Sequence, residues 1–224
     1  MEIKGIDISH WNGDIDFKKV KESGIDFVIL KAGGSDKGFY MDSRFKSNYE
    51  KAREADLEIG AYYFAGRNFL GINAGLQDAK RFIDILKGLK FSYPVFIDIE
   101  AQDKRYKDLI TDAAAAFCST MESSGYFVGV YASDISGFKE RLHKDSLENY
   151  VSWVARYGSE PTYIEDWGLW QHSSKGNVPG ISGSVDLDIS KRDYAKVIKS
   201  KGFNGYKAET TKRKKAQKEV KDGI

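Results

Sequence analysis

The sequence predicts an α/β fold: an irregular TIM-like (β/α) barrel with eight strands and fewer than eight helices. Three observations carry that reading. Eight short β-rich runs recur over about 190 residues. Several are near-continuous apolar runs, the mark of parallel strands covered on both faces. Helical patterns fill the gaps between the early runs, whereas the connections around 157–169 and 172–184 are short or rich in Gly and Pro. A complete barrel of this type takes ~250 residues and eight full helices, so helices should be missing toward the C-terminal end. An open doubly wound sheet is the second arrangement that strand–helix alternation allows. No G-x-G-x-x-G or P-loop follows any strand to support a nucleotide site on such a sheet.

The strand candidates are 4–9 (KGIDIS), 27–32 (FVILKA), 59–64 (IGAYYF), 94–100 (PVFIDIE), 127–132 (FVGVYA), 151–157 (VSWVARY), 169–172 (LWQH) and 184–189 (SVDLDI). Between them, 14–24 offers an Asp cap and a terminal Gly, a helix start and stop. Phe45, Tyr49, Ala52 and Ala55 recur at helical spacing within 42–57, and Leu76, Ala79, Ile83 and Leu86 do so within 73–87. Thr111 reads as the cap of a helix ending at Gly125, and Ser190 with Asp193 as a capping-box start for a helix ending at Gly202. Gly33-Gly34 reads as a tight turn. Repeated strand–helix–strand units imply right-handed crossovers and a parallel sheet.

Of the 224 residues, 41% are apolar, enough for a sizeable core, and 30% are charged. Lys and Arg number 35 and Asp and Glu 33. Residues 207–224 hold seven of those bases and three of those acids, leaving 28 bases and 30 acids on 1–206. The chain divides accordingly into a barrel, 1–206, and a basic polar tail, 207–224. The tail reads as a solvated linker, or alternatively as a patch for anionic polymers. The body lacks the basic field that drives nucleic-acid affinity, so no nucleic-acid partner is expected. No apolar stretch approaches the ~20 residues of a membrane helix, and MEIKGIDISHW has no signal-peptide pattern. The sequence thus predicts a chain made in a cytoplasm. The lone Cys118, in the run AAAAFC, reads as a packing residue and excludes an internal disulfide.

Acids at strand ends carry the chemistry. Barrel active sites sit at the C-terminal ends of strands. Asp7 ends the first strand, Asp98 and Glu100 end the fourth, and Asp186 and Asp188 lie on the eighth. Residues two apart on a strand share a face, and an acid in an apolar strand is costly unless paired or functional. Clustered carboxylates raise one another's pKa, so one stays protonated while another stays anionic. Glycoside hydrolysis needs that division: a general acid for the leaving oxygen and an anion for the oxocarbenium-like carbon. Aromatics accompany the cluster, among them Trp11, Tyr62, Tyr63, Phe64, Tyr131, Trp153, Tyr157, Trp167 and Trp170, and sugars stack on such rings. A metal centre would want His beside the acids. Only His10, His143 and His172 exist, without an H-x-x-x-H pair, and neither a metal nor another cofactor is expected. His143 reads as exposed, and His10 and His172 follow strands near the site. A Ser-His-Asp triad lacks its G-x-S-x-G elbow.

With these residues in place, the sequence resembles glycoside hydrolase family 25, the Chalaropsis-type lysozymes of phage endolysins and bacterial autolysins. The matching pieces are GIDISHWNG (5–13), KAGG (31–34), GAYYFA (60–65), PVFIDIE (94–100), VGVYAS (128–133), WVARY (153–157) and LWQHSSKGNVPGISGSVDLD (169–188). Tyr63 stands where many members carry His, and Gly33-Gly34 where many carry Thr-Glu. The resemblance implies an irregular α/β barrel and an N-acetylmuramidase cleaving the β-1,4 bond from N-acetylmuramic acid to N-acetylglucosamine in bacterial peptidoglycan. It implies Glu100 as general acid and Asp98 as its partner, either as electrostatic stabiliser or as orienter of the substrate acetamido group. Asp7 and Asp186 would flank them, and Tyr62, Tyr131, Trp153, Gln171 and Asp188 would bind substrate. Whether Asp98 or the substrate N-acetyl oxygen attacks the anomeric carbon stays open. A monomer is expected, acting on the wall after release, with a separate or truncated wall-binding module. A catalytically inactive glycan-binding barrel is the rival reading.

Overall fold

In the computed structural model, residues 2–208 are described. All of the predicted tail except its first two residues lies outside them. Nine strands form one sheet: β1 (Ile3–Ile8), β2 (Phe27–Gly34), β3 (Tyr40–Met41), β4 (Glu58–Phe64), β5 (Val95–Asp98), β6 (Val128–Ser133), β7 (Val151–Ala155), β8 (Leu169–Gly176) and β9 (Val185–Ser190). Eight of them close a barrel in the order β1-β9-β8-β7-β6-β5-β4-β2, with β2 pairing back to β1 and β3 added on β2. Five α-helices accompany them: α1 (Phe17–Glu22), α2 (Phe45–Glu54), α3 (Gly71–Leu86), α4 (Lys107–Ser123) and α5 (Tyr194–Lys201). The irregular eight-stranded barrel with too few helices is what the sequence predicts. Among the described residues no helix is long and apolar enough to cross a membrane.

The sheet is not wholly parallel. β9 runs antiparallel to both β8 and β1. The cause is the link from β8, which spans only residues 177–184, whereas a parallel return needs a crossover of a dozen residues or more. The chain therefore folds back as a hairpin. Its β9 places its beginning, not its end, level with the C-terminal ends of the other strands.

Alternate residues along each strand build two cores. Val28, Leu30, Ile59, Ala61, Tyr63, Val95, Ile97 and Val130 face outward and are covered by helices, with Phe82 of α3 and Phe117 of α4 stacked at 6.0 Å. Phe27, Ile29, Phe96, Trp153 and Leu169 fill the barrel interior, and Tyr194 and Ile198 of α5 close its lower end. Each buried aromatic or aliphatic side chain contributes roughly 1.5–3 kcal/mol. Cys118 is fully buried on α4, as its apolar setting predicts.

Several local expectations need correction. Thr111 does not cap α4, which begins at Lys107; its hydroxyl donates to the Lys107 carbonyl one turn back, 2.9 Å away. Ser190 ends β9, and Asp193 alone caps α5 by accepting from the Lys196 N–H. Gly33 and Gly34 are not a turn but the end of β2, paired with β3. A Cβ at Gly33 would collide with the Tyr40 carbonyl oxygen, so only glycine lets β3 approach.

Candidate active site

The barrel's upper end is built by inward-facing residues at the tops of the strands. Asp7 of β1 lies opposite Asp186 of β9 in the antiparallel register. Asp188 enters the same face two residues further down β9. Asp98 is the last residue of β5 and pairs with Phe64 and Tyr131 of the neighbouring strands. Glu100 lies two residues on, just past the strand end. The register therefore brings Asp7, Asp98, Glu100 and Asp186 to one end of the barrel. β9 reaches that end because of its reversal.

Hydrogen bonds tie the buried members together. Gln171 of β8 donates its amide to Asp7 Oδ2 at 2.8 Å and accepts from the hydroxyls of Tyr131 (2.9 Å) and Tyr157 (3.1 Å). The Trp153 indole N–H donates to Asp188 Oδ1 at 2.7 Å. Trp153 itself is 1% exposed. Its ring lies inside the barrel below the acids, against Tyr131 and Phe96. Its place is therefore beneath the site, orienting Asp188, rather than on a surface a polymer reaches. Tyr62 faces the barrel interior beside it, with ring centroids 6.0 Å apart. Asp188 is buried too, and apart from the neighbouring Asp7 carboxyl its second oxygen has no hydrogen-bond partner.

Electrostatics follow from burial. Desolvation, then the charges of Asp188 and Asp186, push the Asp7 carboxyl well above the usual range, against the Gln171 hydrogen bond. Burial also raises Asp188, to about 7, against the donors Trp153 and Asp7. Both carboxyls are thus pushed toward their neutral forms, and the two titrate as a pair. Asp98, 5% exposed, is pushed well above its ordinary value by burial and by Glu100, while Lys31 and Arg141 pull it down. Glu100 is exposed at the rim, yet partial desolvation raises it as well, against the same two cations. Asp186 is half-buried and raised by burial and Glu100.

The other expected residues separate by strand face. Tyr63 and Trp167 pack in the outer core, away from the acids. Trp11 is 80% exposed on the turn after β1, beside His10. His10 bonds the buried Asp42 at 2.6 Å, and His143 bonds Asp108 at 2.7 Å on the surface. A cavity of 680 Å³ opens between α2, β3 and α3, and none of the acids lines it. Lys31 and Arg141 are the two residues that the sequence reading passed over. Lys31 had a readable signal, a charge inside the apolar run FVILKA; Arg141, in a connection after β6, had none.

Comparison with known proteins gives one account. The model of the family described as glycosyl hydrolases family 25 matches residues 6–181. The autolytic lysozyme of Clostridium acetobutylicum is 34% identical over 191 residues, which cover 83% of this chain and 55% of that protein. Lysozyme M1 of Streptomyces globisporus is 29% identical over 215 residues, 88% of this chain and 70% of that one. Among solved structures, the CTP1L endolysin superposes with a TM-score of 0.78 at 31% identity, covering 89% of this chain and 70% of that chain. The chain spans about half the length of the Clostridium relative.

Proposed function

The chain belongs to glycosyl hydrolases family 25, and from that premise we propose that it is a peptidoglycan hydrolase. It cleaves the β-1,4 bond between N-acetylmuramic acid and N-acetylglucosamine. The observation that carries this reading is the pair on β5: Asp98 buried at the strand end and Glu100 exposed two residues later, at the barrel end that also holds Asp7 and Asp186. Two of the matched relatives are named lysozymes, which supports the same substrate.

Glu100, reachable from solvent and raised by desolvation, protonates the leaving glycosidic oxygen. Asp98, directly below it, supplies the negative charge that the oxocarbenium-like carbon draws on. Asp186 stands beside Glu100 as a second carboxyl, itself raised by burial and by the Glu100 charge. Gln171 and Asp188 hold Asp7 from β8 and β9. Tyr62 and Tyr131 form the floor with Trp153. The chain acts as a monomer on the wall after leaving the cytoplasm in which it is made. Wall attachment through a further module, separate or appended, belongs to the same proposal; its support is the length of the Clostridium relative beyond the matched part.

The test is turbidity loss of a Gram-positive wall suspension. Glu100→Gln keeps the shape and removes the proton, so lysis should fall by ~10²–10⁴-fold with an unchanged melting temperature. Equal lysis by both proteins would remove Glu100 from the role. Wall binding without lysis by the unaltered chain would restore the inactive glycan-binding barrel.

A further inference from the structure

Burial alone would put the proton on the wrong acid. Asp98 is 5% exposed and Glu100 is exposed, so desolvation favours a neutral Asp98 more than a neutral Glu100. The proposed chemistry needs the reverse. Asp98 has no help from hydrogen bonds either: its Oδ1 is buried without a partner. Something else has to hold the negative charge there.

Lys31 is placed to do so. It lies on β2 opposite Tyr62 of β4, just before the irregularity that separates Lys31 from Gly33 in that register. Its ammonium sits 4.4 Å from the centroid of the Phe64 ring and 5.8 Å from that of Tyr62. Phe64 is the residue paired with Asp98 across the β4–β5 ladder. Two aromatic faces thus hold a cation on the Asp98 side of the barrel mouth. Among the described residues Lys31 closes no ion pair of its own, unlike Lys51, Lys104 or Lys199. Its charge is therefore not spent on a structural carboxylate.

Building on the hydrolase reading above, we propose that Lys31 is a positioning residue: caged on Phe64 and Tyr62, it draws Asp98 toward its anion and so favours the transferable proton on Glu100. The groups facing Asp98 are Lys31 of β2, Tyr40 of β3, Tyr62 of β4, Glu100 past its own strand, Tyr131 of β6 and Arg141. Of these only Lys31 and Arg141 are cations. Lys31 pulls the Asp98 carboxyl downward more than Arg141 does; it draws Glu100 down as well, but a charge acts more strongly on the buried carboxyl, which water does not screen. Arg141 is also tethered elsewhere, its Nε donating to the Gln102 carbonyl at 2.8 Å.

Lys31→Met keeps the aliphatic stem between the rings and removes the charge. The acid limb of the pH–activity profile should then move up by about one pH unit, the scale of a close opposite charge. Lys31→Arg should restore it. A ¹³C titration of the Asp98 carboxyl, assigned with Asp98→Asn, reads the same shift without any turnover. It therefore remains decisive even if the hydrolase reading fails on walls. An Asp98 titration unmoved in Lys31→Met overturns the proposal. So does a loss of activity that is uniform in pH, or one confined to KM, which would make Lys31 a substrate contact. If Lys31→Met melts early, Lys31→Gln repeats the measurement.

Discussion

Two stretches of one barrel solve the same covering problem in different ways. From β1 to β6 the strands alternate with α-helices. Their outward side chains are buried under apolar helix faces, with α3 and α4 packed so closely that a Cβ on Gly75 would strike the Ala113 carbonyl. From β6 to β9 there is no α-helix. Loops cover that stretch, and a buried polar staple fastens them. Asp134, 2% exposed, takes Nη1 of Arg156 at 2.7 Å and the backbone N–H groups of Thr162, Tyr163 and Ile164. Trp167 is buried beneath, and Trp170 donates its indole N–H to the Arg156 carbonyl at 2.7 Å. Without α-helical crossovers, and with only single π and 3-10 turns after β6, the stretch is free to reverse a strand. That reversal carries Asp186 to the acidic end. The helical arc supplies Asp7, Asp98 and Glu100; the loop-built stretch adds Gln171, Asp186 and Asp188 around them.

The staple offers the largest effect on stability. Burial raises the Asp134 carboxyl, but three backbone N–H groups and Arg156 overcome that and hold it below its ordinary value. Asp134→Ala leaves those donors unpaired in a covered loop. It should cost about 3 kcal/mol, the lower end for breaking a buried pair, because Arg156 is partly solvated. Urea unfolding checks this. A loss under about 1 kcal/mol would mean the loops are held by Trp167 and its neighbours alone.

Legibility followed the same division. The helical arc was readable because its strands are apolar runs and its helices carry a 3.6-residue period. The reversed β9 was readable only in part. VDLDIS alternates polar and apolar residues, a pattern suited to an antiparallel strand, but the strand–helix rhythm of the arc argued for parallel pairing throughout. Two-residue β3 is too short to leave any pattern. Thr111 misled because a hydroxyl bonded one turn back on a helix has the same sequence signature as a cap. The acids stood out as charges in apolar strands. Lys31 has that signature as well, and its role needed the Phe64 and Tyr62 rings in space to become visible.

A smaller effect should mark the helical arc. Gly75→Ala adds one methyl where α3 meets backbone of α4, which cannot swing aside as a side chain would. The helices must separate, at roughly 1–3 kcal/mol, less the ~1 kcal/mol that Ala gains over Gly in a helix. Gly176→Ala on β8 meets the Leu187 side chain and also the Val185 carbonyl. A urea series on both variants compares the two stretches directly. A Gly75→Ala protein as stable as the parent would show that α3 and α4 have slack.

The smallest effect is a gain. In the folded chain Asp188 titrates near 7, against 3.8 for a free side chain, so folding favours its protonated form. Stability linked to it is therefore fully present below about pH 4 and declines as pH rises toward 7. Asp134 has the opposite sign, since its carboxyl is held low and its contribution is lost on acidification. Asp188→Asn keeps an oxygen for the Trp153 indole and abolishes the cost of ionising a buried acid. It should raise stability by about 1 kcal/mol at pH 7 and leave it unchanged near pH 4, because the coupled Asp7 absorbs part of the relief. Melting curves from pH 4 to 8 decide the matter. A gain equal at both ends would trace to packing instead, and a loss at pH 7 would mean that Asp188 is ionised in a site that stabilises its charge.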